Sequence, residues 1–387
     1  MRIGIDGTTI CDATGGRGAG IEHYTWSILF AMAKAAPTHE FVVAVPSHFS
    51  PISQRSFSSL KNIRFIRPML VRVPFFSRHV GIPTRMRFAG VDVLFAPAGQ
   101  VPLGWRGKSV VVVHDLSIYA HPEWFPDEKA KNFSTKVVVP RSMQRAEKII
   151  AVSEFTKSQI KQFFPEVEDN IHVVAEGVWV PEGVSQKDFG EYCAPDHHIA
   201  DDVVLSISTL EPRKNLEVAI HAFDRFLTMH PDRAKTTRYV IAGKQGWKAE
   251  GIQNAIQDVN TKWRDVARDG VALPFGYVSE EEKWHLLHQA SVLLFPSWEE
   301  GFGLPILEAQ AVGTPVIAGA RGALPEVGGD AALYVEPDDI EGMALAIAQC
   351  ILLPEAVRSL SEEGKRHAAK FTWSRAAKET LKVIEAA

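Results

Sequence analysis

The sequence predicts an α/β protein of two doubly wound domains, each built on a parallel sheet. Short runs that are apolar throughout recur along the chain and alternate with longer segments of helical periodicity. Uniformly apolar runs indicate strands that are buried on both faces, as they are in parallel sheets. The chain has 387 residues, which is longer than one hydrophobic core usually serves, so two domains are expected.

Eleven apolar runs predict the strands of the two sheets. In the first half they are Ile3–Ile5, Phe41–Val45, Val93–Phe95, Val110–Val113, Ile149–Val152 and Ile171–Val174. In the second half they are Val203–Ile207, Tyr239–Ala242, Val292–Phe295, Val316–Ala318 and Leu333–Val335. Helical patterns such as Asn215–Met229 and Glu280–Ala290 lie between them, and this alternation is typical of α/β architecture.

A change of composition near residues 180–201 marks the domain boundary. The stretch is polar, contains turn-forming residues and lacks periodicity, and a new buried strand begins after it. We therefore expect an N-terminal domain over 1–185 and a C-terminal domain over 195–372. Open α/β sheets bind ligands at the carboxyl ends of their strands, so an active site in a cleft between the domains is expected.

The bulk composition excludes several classes of protein. The net charge is −4 and the pI is about 6.4, so no basic excess indicates a nucleic-acid partner. Cys11, Cys193 and Cys350 are far apart and lack CxxC spacing, which favours a reducing compartment over a disulfide framework or a zinc site. Neither a signal-peptide pattern nor a run of roughly 20 apolar residues is present, so we expect a cytoplasmic protein.

The most informative segment carries two glutamates around a glycine loop. Glu300 follows a buried strand, and Glu308 lies about one turn into a helix that Pro305 can open. Free backbone N–H groups at such a helix start favour an anionic or oxygen-rich ligand. Two carboxylates there can accept hydrogen bonds from two sets of hydroxyls, such as a sugar ring and a ribose. Either glutamate alone is better interpreted as a helix-start acid, but the pair within one glycine-flanked motif favours ligand binding.

The Glu-x7-Glu pattern within Pro296–Ala309 resembles the retaining GT-B glycosyltransferases of family 4. The match continues through Gly313–Ile317 and Leu324–Val327, and the resemblance covers nearly the whole chain. It implies a GT-B fold, in which two Rossmann-like doubly wound parallel-sheet domains face each other across a cleft. It also implies an acceptor-side N-terminal domain that is completed by a C-terminal helix over 373–387.

The resemblance implies a role for each residue of the glutamate motif. Glu300 would be catalytic and would contact the donor sugar, whereas Glu308 would contact the ribose. Donor-binding roles follow for the residues between them, which are Gly301, Phe302, Gly303 and Leu304. The backbone around Gly303 and Leu304 would contact the sugar or the diphosphate.

A pair of adjacent cations, Arg213 and Lys214, follows another buried strand. An arginine and a lysine at the carboxyl end of a strand can neutralise a diphosphate, although two surface cations are the common alternative. The family resemblance implies a diphosphate contact for Lys214. Many members carry a Gly-Arg pair where this sequence has Ser208 and Thr209, so Arg213 is our candidate for the second cation.

Two further site residues are expected in the first half of the chain. His114 ends the strand Val110–Val113, where a histidine is as consistent with packing or capping as with catalysis. The His114-Asp115 pair resembles the family's site beside the donor sugar, which implies a sugar contact or transition-state stabiliser.

The glycine loop near residue 20 does not satisfy GxGxxG, which argues against a dinucleotide site. Its resemblance to the family's Gly-Ile-x-x-Tyr loop makes Gly20 a donor-binding candidate.

The predicted reaction is transfer of a hexose, with retention, onto a glycan or lipid-linked oligosaccharide in bacterial polysaccharide or lipopolysaccharide biosynthesis. The chain resembles O-antigen and polysaccharide mannosyltransferases mainly through Thr209–Asn215 and Gly243–Trp247, which favours GDP-mannose as the donor. The alternatives are a UDP-hexose donor, a nucleotide-sugar epimerase or sugar-phosphate synthase, and a nonenzymatic nucleotide-sugar binding protein. We expect no cofactor and no metal, since no cluster has convincing metal-ligand spacing.

The segment 61–91 contains no Asp or Glu, and its basic residues are mixed with aromatic and aliphatic ones. Such a surface can lie on an anionic membrane, whereas an ordinary solvated face is the alternative. Relatives often use lipid-linked acceptors, so we expect peripheral contact with the inner face of the cytoplasmic membrane.

Overall fold

A computed structural model describes residues 1–10, 20–46, 49, 55, 57–67, 73–130, 132–180 and 200–387. The chain forms two compact units. The N-terminal unit comprises Met1–Pro122, Asp127–Gly177 and Thr372–Ala387, and the C-terminal unit comprises Glu123–Pro126 and Val178–Phe371. The stretch 186–194 between the predicted domains lies outside the described residues, so the bounds 1–185 and 195–372 stay a prediction.

The N-terminal unit is built on a seven-stranded parallel sheet. Its strands are β1 (Arg2–Asp6), β2 (Glu40–Ala44), β3 (Ile63–Ile66), β4 (Val93–Ala96), β5 (Lys108–Val113), β6 (Lys148–Ala151) and β7 (Ile171–Val173). Their spatial order is β3-β2-β1-β4-β5-β6-β7, and every neighbouring pair is parallel. The order therefore reverses direction between β1 and β4, as in doubly wound folds.

The C-terminal unit is built on a six-stranded parallel sheet. Its strands are β8 (Asp202–Ile207), β9 (Thr237–Ala242), β10 (Ala272–Gly276), β11 (Val292–Phe295), β12 (Val316–Gly319) and β13 (Leu333–Val335). Their order is β10-β9-β8-β11-β12-β13, again parallel throughout. Counted within the unit this is the order 3-2-1-4-5-6, which reverses between β8 and β11.

Helices connect the strands in both units. Those of the N-terminal unit are Gly20–Ala35, Pro74–Phe76, Ile82–Phe88, Ser117–Ala120, Asp127–Ala130, Val139–Arg145, Glu154–Phe163 and Trp373–Glu385, with π-helical turns at Ser77–Gly81 and Ser134–Val138. Those of the C-terminal unit are Leu216–Met229, Glu250–Lys262, Glu280–Gln289, Leu304–Val312, Leu324–Gly328, Ile340–Leu352 and Pro354–Ala368. Short 3-10 turns lie at Pro122–Trp124, Pro165–Asn170, Pro212–Lys214 and Pro231–Lys235.

The fold confirms the predicted α/β class and all eleven predicted strands, each within two residues at either end. The sequence analysis missed β3 and β10, which are edge strands. Arg64 is exposed in β3, and Pro274 interrupts β10, so neither strand has the uniformly apolar pattern of a central one. Proline is tolerated there because the outer side of an edge strand needs no ladder donor.

The C-terminal segment of the chain packs in the N-terminal unit. The helix Trp373–Glu385 begins at Thr372, whose hydroxyl accepts a hydrogen bond from the Arg375 N–H at 3.2 Å. Its buried residues recur at the three- to four-residue spacing of an amphipathic helix, and it packs against Gly20–Ala35. Gly177 lies so close to it that a Cβ there would meet the Trp373 nitrogen at 2.3 Å.

Candidate active site

The strand order of the C-terminal unit brings two loops together. The loop 208–215 follows β8 and the loop 296–303 follows β11, and these strands are neighbours at the point where the order reverses. Open α/β sheets bind ligands at such a switch point, outside the carboxyl ends of the strands. Arg213 and Lys214 lie on the first loop, and Glu300 lies on the second.

Glu300 is a buried carboxylate that both cations of the neighbouring loop contact. Arg213 Nη1 donates to Glu300 Oε2 at 2.7 Å, and Lys214 Nζ donates to Oε1 at 2.5 Å. The side chain of Glu300 is only 9% exposed. Burial raises the pKa of Glu300, but Arg213 and Lys214 outweigh it and hold the pKa below its ordinary value.

A second carboxylate balances the charge of this cluster. Glu211 Oε1 accepts hydrogen bonds from Arg213 Nε at 3.2 Å and from Nη2 at 3.1 Å. The Arg213 guanidinium also donates to the Glu299 carbonyl at 3.1 Å. Two mostly buried cations therefore face two carboxylates, and the guanidinium is held in one orientation by three separate acceptors.

The Asn215 side chain links the two loops by donating hydrogen bonds to backbone carbonyls. It has φ 56°, a left-handed conformation that asparagine adopts more readily than most residues. In this position its Nδ2 donates to the Pro296 carbonyl at 3.1 Å and to the Pro337 carbonyl at 2.5 Å. The Trp298 N–H donates to the Arg213 carbonyl at 2.9 Å. These hydrogen bonds hold the loop that carries Arg213 and Lys214 against the loop that carries Glu300.

The glycine loop ends at Gly303, where the helix Leu304–Val312 begins. Gly303 has φ 108°, a conformation that favours glycine, and a Cβ there would also meet the Leu324 side chain at 2.8 Å. Pro305 lies in the first helical turn. Gly301 and Phe302 are buried, and the Phe302 ring packs edge-on against Phe371 at 6.2 Å between centroids.

Gly322 is a supporting residue that the sequence analysis missed. It has φ 64°, and a Cβ there would meet the backbone nitrogen of Glu300 at 2.9 Å and its oxygen at 3.0 Å. The next residue, Ala323, donates its N–H to the Glu300 carbonyl at 3.0 Å. A glycine between β12 and the following helix was the available signal, but nothing in the sequence indicates that it packs on Glu300.

Glu308 has a different cationic partner, Lys283, which the sequence analysis also missed. Lys283 Nζ donates to Glu308 Oε1 at 2.7 Å. Glu300 and Glu308 therefore belong to separate ion clusters, one with Arg213 and Lys214 and one with Lys283. Lys283 lies on the helix Glu280–Gln289 and precedes Glu308 by 25 residues, so sequence spacing carries no signal for the contact.

In the N-terminal unit, His114 follows β5 and both of its ring nitrogens face acceptors. Nε2 lies 2.8 Å from the Pro97 carbonyl, and Nδ1 lies 3.0 Å from Glu176 Oε1. A carbonyl only accepts, so Nε2 donates, and a carboxylate at Nδ1 favours a second proton there. Burial lowers the pKa of His114, but Glu176 and the nearby Asp115 outweigh it and raise the pKa. The Tyr24 ring packs edge-on against the imidazole at 4.6 Å.

The remaining predictions concern Gly20, metal sites and membrane spans. Gly20 is exposed at the start of the helix Gly20–Ala35, and residues 11–19 of its glycine loop lie outside the described residues. Among the residues described, no group of three His, Cys, Asp or Glu side chains could hold a metal ion. Within the same residues, no single helix has both the length and the apolarity that crossing a bilayer requires.

Comparison with known proteins matches most of the C-terminal unit to a family model. Residues 196–367, which contain Arg213, Lys214, Lys283, Glu300 and Glu308, match the family model of "Glycosyl transferases group 1". The chain is 28% identical over 283 residues to O-antigen chain mannosyltransferase B of Escherichia coli, a match that covers 71% of this chain and 69% of that protein. It is 25% identical over 316 residues to O-antigen chain mannosyltransferase RfbU of Salmonella typhimurium, covering 82% of this chain and 78% of that protein.

A solved structure with the same fold is Alr3699/HepE of Anabaena in complex with UDP and glucose. It matches with a TM-score of 0.71 and 16% identity, and the match covers 100% of this chain and 99% of that chain. A likeness at this identity shows the fold. Taken together with the family match, it means that this chain is a glycosyltransferase of the GT-B fold whose residues 196–367 match the group 1 family model.

Proposed function

We propose that the C-terminal unit binds a nucleoside diphosphate hexose at the switch point between β8 and β11, and that the enzyme transfers the hexose with retention. The observation that supports this is the convergence of Arg213 and Lys214 on the buried Glu300. A diphosphate would compete with Glu300 for the two cations. The carboxylate that it displaces is then available to accept hydrogen bonds from the sugar hydroxyls.

The other donor contacts follow from the loop geometry. The helix Leu304–Val312 has no side-chain cap at Gly303, and its dipole favours a diphosphate or sugar oxygen beside Gly303 and Leu304. Because the Phe302 ring is packed against Phe371, we assign Gly301 and Phe302 backbone contacts only. Glu308 accepts from the ribose hydroxyls. Gly20 remains a proposed donor contact of the N-terminal unit.

The same groups account for the chemistry. As the diphosphate leaves, Arg213, Lys214 and the helix start near Gly303 stabilise the charge that develops on it. The acceptor hydroxyl attacks from the leaving-group side, and a phosphate oxygen takes its proton. This geometry delivers retention of configuration, and no residue of the cluster needs to act as a nucleophile. We propose that the donor binds without a metal.

Replacement of Glu300 by glutamine tests this assignment. We expect Glu300→Gln to lower kcat by about 100-fold or more, the scale of one lost charged contact to a transition state. Nucleoside diphosphate binding should stay the same or tighten, because the internal competitor for Arg213 and Lys214 is gone. The measurements are donor turnover and the Kd for GDP and UDP. Glu281→Gln, an exposed carboxylate of the same unit, is the matched control. Turnover above half the wild-type rate would contradict the assignment.

We further propose that the hexose is mannose, that the donor is GDP-mannose and that the acceptor is a glycan or lipid-linked oligosaccharide of bacterial polysaccharide synthesis. The support is the names of the relatives, which are O-antigen mannosyltransferases. Turnover with a free sugar phosphate as acceptor would instead indicate a synthase, since an enzyme that extends glycans should not accept it.

A thermal-shift panel of GDP, UDP and ADP, each with and without its hexose, tests the donor. We expect GDP-mannose to raise the melting temperature most, because a ligand that binds only the folded state stabilises it in proportion to RT ln(1 + [L]/Kd). Glu308→Gln should lower the shift for every nucleotide to a similar extent. A clear preference for a UDP-hexose would overturn the assignment of GDP-mannose and leave the glycosyltransferase in place.

We propose that His114 contributes to catalysis through a fixed positive charge. Both of its ring nitrogens already have protein partners, Pro97 and Glu176, so neither is available as a proton carrier. The groups that face the ring are Glu176, Asp115 and the edge of Tyr24. Glu176 is thus proposed to maintain the imidazolium.

The pH profile tests this role. The pKa of His114 is raised above the value of about 6.5 that a histidine has in the unfolded chain. The charged imidazole therefore stabilises the folded state fully below that pH, and this stabilisation is lost as pH rises through the pKa of the folded protein. We expect kcat to fall over the same rise in pH. Glu176→Gln removes the ion pair and should move the fall to lower pH, whereas Glu168→Gln, a surface carboxylate paired with Lys161, should not. Superimposable profiles for wild type and Glu176→Gln would contradict the proposal.

We propose that an exposed aromatic patch of the N-terminal unit contacts an anionic membrane. The patch consists of Phe75, Phe76 and Phe133, which are 47%, 52% and 50% exposed, and Phe75 lies 5.8 Å from each of the other two rings. The described residues 73–91 carry three arginines and no acid, and residues 68–72 of the predicted segment lie outside the described residues. Aromatic side chains beside cations suit an anionic lipid surface.

Vesicle sedimentation at low salt tests the patch. We expect the wild-type protein to sediment with phosphatidylglycerol vesicles and to stay in solution with phosphatidylcholine vesicles. Substituting Phe75→Ser and Phe76→Ser together should reduce the sedimented fraction several-fold, because the apolar area that enters the bilayer is lost. Leu345→Ser with Leu353→Ser, exposed apolar residues of the other unit, is the matched control. Equal sedimentation of both double variants would contradict the proposal.

A further inference from the structure

A partly buried lysine contacts the second carboxylate of the proposed donor site. Lys283 Nζ donates to Glu308 Oε1 at 2.7 Å and lies 2.9 Å from Glu280 Oε2. The side chains of Lys283 and Glu308 are 13% and 12% exposed, whereas that of Glu280 is 45% exposed. The cation therefore lies between one mostly buried and one half-exposed carboxylate.

The position of Lys283 is fixed by the start of its helix. The Ser279 side chain accepts the Glu282 N–H at 3.2 Å, and the Glu282 carboxylate accepts the Ser279 N–H at 2.6 Å. This capping box sets the first turn of the helix, which carries Lys283. The ammonium also lies 5.2 Å from the centroid of the buried Trp284 ring.

Stability alone does not explain a Lys283–Glu308 pair that is mostly removed from water. Removing an ammonium and a carboxylate from water costs several kcal/mol per ion, and apolar residues of similar volume are often equally stable or more so. A helix at this depth can hold an aliphatic side chain, as Leu286 and Leu287 on the same helix show. A charged pair in this place therefore indicates a role in recognition.

The second carboxylate oxygen of Glu308 is the group that such a role would use. Lys283 occupies Oε1, and no hydrogen bond from a described residue reaches Oε2. Burial lowers the pKa of Lys283, but Glu308 and Glu280 outweigh it and raise the pKa, so the ammonium stays charged. A carboxylate that a lysine contacts through one oxygen presents the other as an acceptor, and vicinal ribose hydroxyls are matching donors.

We propose that Lys283 is a positioning residue for the donor, which holds the Glu308 carboxylate oriented toward the ribose hydroxyls of a bound nucleoside diphosphate. The inference rests on the proposed donor site, and it adds a residue on a different helix. If the proposal is correct, Lys283 affects the affinity for a nucleoside diphosphate only when the ribose hydroxyls are present.

Deoxy nucleotides separate this role from a structural one. GDP and UDP, and the 2′,3′-dideoxy form of each, are titrated by calorimetry into wild type and Lys283→Met, which keeps most of the stem and removes the charge. We expect Lys283→Met to weaken binding of the better parent nucleotide about tenfold, the scale of a lost charge-assisted hydrogen bond. The dideoxy form should bind both proteins equally weakly, within about twofold. In turnover assays KM for the donor should rise while kcat changes by less than about twofold.

Two further variants complete the experiment. Lys283→Arg keeps the charge and should recover most of the affinity. Lys262→Met removes a surface lysine that is 2.7 Å from Asp224 in the same unit, and it should leave the affinity unchanged. If the melting temperature of Lys283→Met is several degrees below that of wild type, the binding of the parent and dideoxy nucleotides is measured with Lys283→Gln instead.

The outcomes are distinct. The inference is supported if Lys283→Met weakens the binding of the parent nucleotide and leaves the binding of its dideoxy form unchanged. An equal loss for both forms, or no loss for either, overturns the inference and leaves the proposed donor site standing. If the wild-type protein binds neither GDP nor UDP, the proposed function itself fails and this inference fails with it.

Discussion

Glu300 is buried beside the carboxyl ends of a parallel sheet, and a carboxylate in that place is stable only with cations in direct contact. An unpaired buried charge costs several kcal/mol, which is a large part of the stability of a folded domain. Arg213 and Lys214 supply the compensation, from a loop that precedes Glu300 by more than 80 residues. The contact exists because β8 and β11 are neighbours, so the strand order of the C-terminal unit is a condition for the site.

The same requirement accounts for the unusual backbone around the cluster. The left-handed Asn215 holds the first loop against the second, and Gly322 lets a third loop approach the backbone of Glu300. Gly303 turns the chain into the helix that carries Glu308. Each of these residues fixes the position of a charged group, so the loops serve as a rigid frame for the two ion clusters.

The sequence predicted most of the fold because its central strands are buried on both faces and are therefore uniformly apolar. It failed at β3 and β10, since an edge strand is partly solvated and tolerates Arg64 and Pro274. Within the site, the glycine-flanked glutamates and the adjacent Arg213 and Lys214 were visible as local motifs. The roles assigned to these residues remain proposals.

The supporting residues could not be predicted for a physical reason. Lys283, Glu176 and Gly322 act through contacts with residues that are distant in sequence, and such contacts leave no local pattern. The aromatic patch was foreseen only as an acid-free segment, because Phe133 joins Phe75 from a different part of the chain.

The edge strands β3 and β10, which were not predicted from the sequence, also disfavour the pairing of another chain with the sheet edges. A parallel sheet ends in a row of unpaired backbone groups that can template the addition of a strand from another chain. Pro274 lacks an N–H to donate at one edge of the second sheet, and Arg64 brings a charge to one edge of the first. A neighbouring molecule therefore meets a missing donor at one of these edges and a half-exposed charged side chain at the other, which disfavours aggregation by strand addition there.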